Sequence, residues 1–336
     1  MKVASALVSG RDAVPELAAE AVRQAMTKAG LTQANHVLLL LSRDFIRQPQ
    51  PAILEAARTA GCLQVSGCTA SGLFTEAGWQ IDQPAAAAMV FSSESSAAIS
   101  ALIPTLSFSG HSTLPVEWLN GEARSGLIDT DAAVWNHGRL NANACAEIRW
   151  PELRSQQILC PGLHPLGEAL LVEACEAYDL RQIGGQSAVD SLQHSLPGKL
   201  PPLHQLAALR QPGEPGITIL SANADGSLTL GAMLEPGEKI TWAIRQPLAA
   251  EHEMRQALKA AVDARMQPNF ALMFSCIGRG PLFYGNDDRD LQAFREQFPG
   301  VPLLGAYGTG QIASSAAGNR LFNNAAITLL FESSHV

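Results

Sequence analysis

Along residues 1–93, short apolar runs alternate with stretches in which apolar residues recur at helical spacing. The runs predict strands that are covered on both faces, because their apolar residues follow one another without polar alternation. They comprise residues 2–8, 37–41, 63–65 and 85–91. The two helical stretches end at Gly30 and Gly61, which are helix stop signals, and Asp12 is the predicted N-cap of the first helix.

The same order of elements returns after residue 216. An Asn-Ala-Asp-Gly turn signal between two apolar runs predicts a hairpin within residues 217–234. The pattern then predicts two helices, at 248–265 and around Phe294, and three strands, at 271–275, 301–304 and 325–331. We therefore expect an α/β fold with internally duplicated strand–helix–strand–helix–strand–strand units, which form two mixed sheets packed with pseudo-twofold symmetry.

The segment between these two units is less regular. Apolar residues within 165–178 have helical spacing and predict a helix, whereas residues 182–188 predict a short strand. Residues 197–216 are rich in proline and predict a long loop, where we place the boundary between the halves. The predicted domains are residues 1–200 and residues 217–336.

Composition and charge exclude several classes of function. The chain has 336 residues, of which 47% are hydrophobic and 16% charged, as expected of a globular protein with a substantial core. A net charge of −8 and the absence of a basic run argue against a nucleic-acid-binding protein. Every apolar run is far shorter than the roughly 20 residues of a membrane span. We therefore expect a cytoplasmic protein without membrane insertion.

Each half contains a glycine-rich turn beside polar residues. Gly67 and Gly72 are five residues apart, and so are Gly305 and Gly310. Closely spaced glycines can direct several backbone N–H groups at an anion, and pockets tend to form where related halves meet. The alternative is a plain connection between strands. The candidate ligand-binding residues in these turns are Cys68, Thr69, Ser71, Gly305, Tyr307, Gly308, Thr309, Gly310 and Gln311.

A second candidate segment, Ser-Cys-Ile-Gly-Arg-Gly, follows the strand predicted at 271–275 directly. Ligands of α/β proteins bind at such strand ends, and a guanidinium offers a planar fork to a carboxylate or phosphate. The alternative is a tight turn with a solvated arginine. The candidate ligand-binding residues here are Ser275, Cys276, Gly278, Arg279 and Gly280.

Acidic residues follow this segment. Asp287 and Asp288 either cap the helix that begins there, which is the favoured interpretation, or hold an ammonium group of a ligand.

The cysteines and histidines indicate no metal site. The six cysteines form no Cys-x-x-Cys pair, and none of the eight histidines pairs with another at metal-ligand spacing. A catalytic cysteine needs a base, and no histidine is adjacent in sequence to Cys68 or Cys276. Catalysis by Cys276 therefore remains a minor alternative. A single axial haem ligand leaves no spacing signal, and His164 and His194 are the candidates for it.

These segments resemble the FIST family. The C-terminal third resembles the FIST C-terminal domain in residues 275–280, in the aspartates of 286–290, in 301–305 and in Gly-Gln-Ile at 310–312. The preceding part resembles the FIST N-terminal domain in residues 67–72, 164–167 and 183–185 with Asp190. The chain departs from the family pattern at Gln311, where glutamate is usual, and at Ala313-Ser314, where Gly-Pro is common.

The resemblance implies a function. FIST domains are regarded as intracellular sensory modules that bind small molecules, with amino acids proposed as ligands, in bacterial signalling proteins and in some F-box proteins. The resemblance therefore implies a cofactor-free, non-enzymatic sensor. This sensor would bind an anionic or zwitterionic small molecule and act on a separate signalling partner protein. We expect the ligand carboxylate to meet Arg279 and the amides of residues 305–310. The alternative is a haem b sensor of nitric oxide, acting on a kinase or a cyclic-di-GMP enzyme.

Overall fold

The structure is a computed structural model that describes residues 1–92, 105–149, 153–315 and 317–333. The chain divides into two compact units. Unit 1 comprises Met1–Cys160 together with Met254–Val336, and unit 2 is Pro161–Glu253. The two units are defined by contacts in the structure, and their bounds differ from those of the domains predicted from the sequence, 1–200 and 217–336. The domain bounds stay a prediction.

The α-helices of the described residues are α1 (Pro15–Ala29), α2 (Gln50–Ala60), α3 (Ala188–His194), α4 (Pro247–Asp263) and α5 (Arg289–Gln297). The strands up to residue 160 are β1 (Lys2–Ser9), β2 (His36–Ser42), β3 (Val65–Ala70), β4 (Gly72–Thr75), β5 (Gly78–Ile81), β6 (Ala85–Ser92), β7 (Thr105–Ser109), β8 (Arg124–Ile128), β9 (Val134–Asn136), β10 (Arg139–Leu140), β11 (Cys145–Ile148) and β12 (Leu153–Cys160). The strands of unit 2 are β13 (Leu163–Pro165), β14 (Leu170–Glu176), β15 (Asp179–Ile183), β16 (Gln186–Ser187), β17 (Leu206–Leu209), β18 (Ile217–Ala222), β19 (Leu228–Leu230) and β20 (Lys239–Arg245). The last strands are β21 (Phe270–Cys276), β22 (Leu303–Gly308), β23 (Gly310–Ser315), β24 (Gly318–Phe322) and β25 (Ala326–Ser333).

Unit 1 contains three sheets. The first has the order β1-β6-β2-β3-β9-β10 and the second β12-β25-β21-β22-β4-β5. The third has the order β11-β7-β8-β23-β24. The pairs β2–β3 and β21–β22 are parallel, whereas β6 and β25 run antiparallel to both of their neighbours. The α/β class and the mixed sheets are therefore confirmed. The shared strand order agrees with a duplication, but the duplication and the twofold symmetry stay predictions.

Helices cover one face of each of the first two sheets. Apolar residues of α1 and α2 pack on the first sheet, and those of α4 and α5 pack on the second. The opposite faces share a core with the third sheet. The rings of Phe91 and Phe270 are 5.0 Å apart in this core, and those of Phe108 and Phe274 are 5.7 Å apart. This double covering explains why the central strands are continuous apolar runs.

Unit 2 is built from a single sheet with α3. Its strands follow the order β13-β20-β14-β15-β19-β18-β17. Strand β17 also pairs with β20, which closes the strands from β20 to β17 into a ring. The side chains of Val172, Leu192, Ile219, Leu228 and Trp242 belong to the core of this unit.

Three local predictions are wrong. No helix occupies residues 165–178; β14 lies there instead and pairs with β15 and β20, because helix propensity is weaker than strand pairing in a buried sheet. The predicted loop at 197–216 contains β17, all of whose residues are buried. Helix α1 begins at Pro15 with Val14 as its N-cap, so Asp12 does not cap it.

Candidate functional site

The two glycine-rich segments predicted as turns lie side by side, but most of their residues belong to strands. Only Ser71 lies between β3 and β4, and only Thr309 lies between β22 and β23. The backbone N–H of Ser71, between β3 and β4, donates to the carbonyl oxygen of Tyr307 at 3.0 Å. Strand β3 belongs to the first sheet, whereas β4, which follows it directly, pairs with β22 of the second sheet, with Gly72 opposite Tyr307. The two segments therefore meet inside unit 1 because the chain passes from one sheet to the other at Ser71.

A third loop, residues 129–133 between β8 and β9, contacts both turns. The Ser71 hydroxyl donates to Oδ2 of Asp129 at 3.0 Å. The Thr309 hydroxyl accepts the backbone N–H of Thr130 at 3.1 Å, and the hydroxyl oxygens of these two threonines are 3.3 Å apart. Strand β8 pairs with β23, with Ile128 opposite Gly310, and this register places Asp129 beside the second turn.

Arg43 completes this group of polar residues. It follows β2 in a 3-10 turn, Arg43–Phe45, and its guanidinium binds both carboxylate oxygens of Asp129, at 2.7 and 3.1 Å. The Asp129 side chain is fully buried, whereas that of Arg43 is 47% exposed. We call Arg43, Ser71, Asp129, Thr130 and Thr309 the turn cluster. It lies at the carboxyl ends of β2 and β3, where ligands of α/β proteins bind.

Burial and charge act in opposite directions on Asp129. Burial raises the pKa of its carboxyl above the ordinary value, while Arg43 and the Ser71 hydrogen bonds lower it and leave a net increase. A buried carboxylate needs a partner of opposite charge, because an unpaired buried charge is costly. The turn cluster therefore places a buried negative charge next to a half-exposed positive charge.

Arg43, Asp129 and Thr130 are not among the candidate residues predicted from the sequence. The position of Arg43 is itself a signal, because it comes directly after an apolar run that predicts a buried strand. The segment of residues 275–280 is a candidate for the same reason. Asp129 likewise comes directly after the apolar pair of residues 127–128. Neither signal shows that the two positions meet, because they are far apart in the sequence.

Arg279 has a different partner from the predicted ligand. Its guanidinium binds both oxygens of Asp290, at 2.8 and 3.2 Å, and also donates to the carbonyl oxygen of Cys160 at 2.8 Å. The side chains of Arg279 and Asp290 are each only 1% exposed. The geometry does not present this guanidinium to a ligand carboxylate, so we assign Arg279 a structural role and do not include it in the candidate site.

The acidic segment caps α5, as the favoured interpretation predicts. The Asp288 carboxylate accepts the backbone N–H of Leu291 at 2.9 Å and the hydroxyl of Tyr307. Burial, reinforced by the charge of Asp290, raises the pKa of Asp288 to about 6. Asp287 is exposed.

The glycines of these segments are needed for close packing. A Cβ at Gly305 would lie 2.1 Å from the Phe74 ring, and one at Gly308 would lie 2.7 Å from the carbonyl oxygen of Ile128. A Cβ at Gly278 or Gly310 would also come within 2.6 Å of a neighbouring side chain. The binding of an anion by their N–H groups stays a prediction.

The remaining candidate residues are buried, and some of their polar groups have hydrogen-bond partners while others have none among the described residues. Thr69 accepts the backbone N–H of Ala133 at 3.0 Å. Within the described residues, the amide of Gln311 and the hydroxyl of Ser275 are buried without a hydrogen-bond partner. Cys68 and Cys276 are buried, and burial raises the pKa of the Cys68 thiol well above its ordinary value. That change disfavours a reactive thiolate at Cys68.

The two histidines considered for haem lie in unit 2. His164 is on β13 and lines a cavity of about 400 Å³, here called the β13–β20 cavity. His194 is the last residue of α3, is exposed, and is not among the residues that line this cavity. In the part of the chain that the structure describes, no group of three His, Cys, Asp or Glu side chains could hold a metal ion.

No helix among the described residues is long and apolar enough to cross a membrane.

Comparisons with known proteins agree with the family resemblance. Residues 188–314 match the family model of the FIST C domain. Over 230 residues the chain is 25% identical to uncharacterized proteins of Mycobacterium tuberculosis and Mycobacterium bovis. The aligned region covers 63% of this chain and 60% of each relative. The chain thus spans about three fifths of the length of these curated relatives.

A shorter match involves a eukaryotic protein. Over 60 residues the chain is 45% identical to F-box only protein 22 of Homo sapiens, which covers 17% of this chain and 14% of that protein. The match of residues 188–314 to the FIST C domain supports the family resemblance seen in the sequence.

Proposed function

We propose that this protein is a sensor that binds a small zwitterionic molecule, such as an amino acid, at the turn cluster. The FIST C domain suggests a sensory role in signal transduction. The observation that carries the proposed site is the buried carboxylate of Asp129 beneath the half-exposed guanidinium of Arg43. Hydroxyl groups of Ser71, Thr130 and Thr309 surround this ion pair.

Charge balance makes a zwitterion the best match. When the Arg43–Asp129 pair opens, the ligand ammonium takes the place of the guanidinium at Asp129, and the ligand carboxylate binds Arg43. Each buried or half-buried charge then keeps an opposite partner. A ligand with only a negative charge would leave the buried Asp129 unpaired, which is costly, and a ligand with only a positive charge would lose the charge-assisted contact with the half-exposed Arg43. The site therefore selects against singly charged analogues.

Ligand binding would also change the surface. Arg43 donates to the carbonyl oxygen of Thr130 at 3.2 Å, so its displacement alters the loop of residues 129–133. A partner protein that prefers one of the two arrangements would shift the equilibrium between them. We propose that the signal passes to a separate cytoplasmic partner in this way.

Calorimetric titration of the full chain with the L-amino acids tests this proposal. For an amino acid that binds, we expect its N-acetyl and its amide derivatives each to bind at least about tenfold more weakly, because each lacks one charge. Arg43→Ala and Asp129→Asn should cause similar losses. Arg47→Ala, a change at a nearby exposed arginine, is the matched control and should leave the affinity unchanged. Equal binding of the derivatives, or full affinity in Arg43→Ala, would contradict the proposal.

A haem-based sensor is the second candidate, because His164 lines the β13–β20 cavity. Leu166, Leu196 and Ile244 give this cavity apolar walls, but Lys199 is the single cation among its lining residues. The donor set therefore fits haem b incompletely, since haem carries more than one propionate. An absorption spectrum after addition of haemin decides the question: a Soret band that is lost in His164→Ala would favour haem.

Catalysis by cysteine is the weakest candidate. Cys276 is buried at the end of β21, and no histidine is adjacent to it in the sequence to act as the base that a nucleophile requires. We therefore propose a non-enzymatic function.

A further inference from the structure

The β13–β20 cavity of unit 2 arises from strand register. In the antiparallel pair β13–β20, His164 lies opposite Ile244. Leu166 and Gln246 come directly after the ends of these strands and also line the cavity. Leu196 and Lys199, from the segment after α3, close the other side. The volume of about 400 Å³ is in the range of small-molecule sites, roughly 300–1,000 Å³.

The polar side chains that line this cavity, those of His164, Lys199 and Gln246, are exposed to solvent. Within the described residues, no side-chain hydrogen bond is found for His164, Lys199 or Gln246, and Lys199 has no carboxylate within 4.0 Å. No Asp or Glu lines the cavity, so the Lys199 ammonium is its one permanent charge. The wall otherwise consists of apolar side chains, among them Leu166, Leu196 and Ile244.

We propose that the β13–β20 cavity binds a small amphipathic carboxylate, with one negative charge and an apolar body. The carboxylate meets the ammonium group of Lys199, and His164 and Gln246 offer further polar contacts. The apolar body of the ligand lies against Leu196 and Ile244, and its transfer out of water favours binding. This site is separate from the turn cluster and does not rest on the function proposed there.

Fluorescence titration of the full chain with 8-anilinonaphthalene-1-sulfonate, an aromatic monoanion, provides the direct test. We expect saturable binding at one site and displacement by phenylacetate but not by phenylacetamide, which has the same shape without the charge. Lys199→Met should weaken binding about tenfold, because it keeps the apolar stem and removes the charge. Lys199→Arg should restore most of the affinity.

Lys239→Met is the matched control, since Lys239 is an exposed lysine of the same unit that does not line the cavity. It should bind the probe as the unchanged chain does. Unchanged probe affinity in Lys199→Met, or equal displacement by phenylacetamide, would overturn the proposal. Loss of probe binding in Asp129→Asn together with full binding in Lys199→Met would assign the probe to the turn cluster and would also overturn it. A Soret band dependent on His164 would reassign the cavity to haem.

Discussion

Arg279 and Asp290 form a two-point ion pair, at 2.8 and 3.2 Å, in which both side chains are 1% exposed. The pair joins the turn after β21 to the first turn of α5, and Tyr284 adds a hydrogen bond to Asp290 at 3.0 Å. The motif that most resembles a ligand-binding segment in the sequence therefore secures the connection between a strand and the following helix.

Removal of one partner from this pair should destabilise the protein strongly. Asp290→Ala leaves a buried guanidinium without its carboxylate, which costs about 3–5 kcal/mol. Urea unfolding measures the free energy of unfolding in the variant and in the unchanged chain. Glu20→Ala is the control, because the pair of Glu20 with Arg23 is exposed and contributes at most about 1 kcal/mol. A loss as small in Asp290→Ala as in the control would contradict the structural role.

The glycine at position 305 should not tolerate a side chain. Gly305→Ala places a Cβ within 2.1 Å of the Phe74 ring and 2.6 Å of the carbonyl oxygen of Met273. Backbone cannot shift as easily as a flexible side chain, so we expect a loss of about 1–3 kcal/mol or more in the free energy of unfolding. Gly78→Ala, where a Cβ would meet nothing within 4 Å, should change it little. Equal stability of the two variants would show that the packing around Gly305 is looser than described.

Asp288 should make stability depend on pH between about 4 and about 6. Burial raises its pKa from 3.8 to about 6, so the folded state binds the proton more tightly than the unfolded chain does. This contribution to stability is complete below the unfolded pKa and is lost as the pH rises through 6. Asp288→Asn keeps a capping side chain and removes the titration. The difference in unfolding free energy between the two chains should therefore change across this window; a difference independent of pH would refute the assignment.

The buried amide of Gln311 should be replaceable by an apolar side chain. Both its nitrogen and its oxygen lack a partner among the described residues, and such a group costs about 1–3 kcal/mol. Gln311→Met keeps the length of the side chain and removes the unsatisfied amide, so we expect equal or higher stability in thermal and urea unfolding. Thr69→Val is the contrasting change, because it removes a satisfied acceptor and should destabilise. Lower stability of Gln311→Met would indicate a buried water bound to the amide.

Local patterns predicted most of the elements that surround the candidate site. The runs that became β2, β21 and β25 are covered on both faces, and continuous apolar sequence reports that environment directly. Gly30 ends α1 in a left-handed conformation, with φ of 63°, as a glycine stop signal predicts. The cap of α5 by Asp288 also follows from local chemistry.

Residues 165–178 show where local patterns fail. The segment that became β14 contains residues with good helix propensity, but its neighbours β15 and β20 supply strand partners on both sides. Propensities differ by less than about 1 kcal/mol per residue, so the pairing and burial of a closed sheet outweigh them. The identity of the partners depends on residues far along the chain, and no short window contains it.

The sequence by itself determined the α/β class and the FIST resemblance, because apolar periodicity and short motifs are properties of neighbouring residues. It also identified the two glycine-rich segments, although most of their residues lie in strands rather than in turns. Only the tertiary structure decided which polar groups meet. It paired Arg279 with Asp290 across eleven residues and Arg43 with Asp129 across 86. It also brought Ser71 against Tyr307, since the chain passes at Ser71 from β3 of one sheet to β4 of the other. Such pairings depend on strand register and burial, whose energies arise from contacts between distant segments rather than from the local sequence.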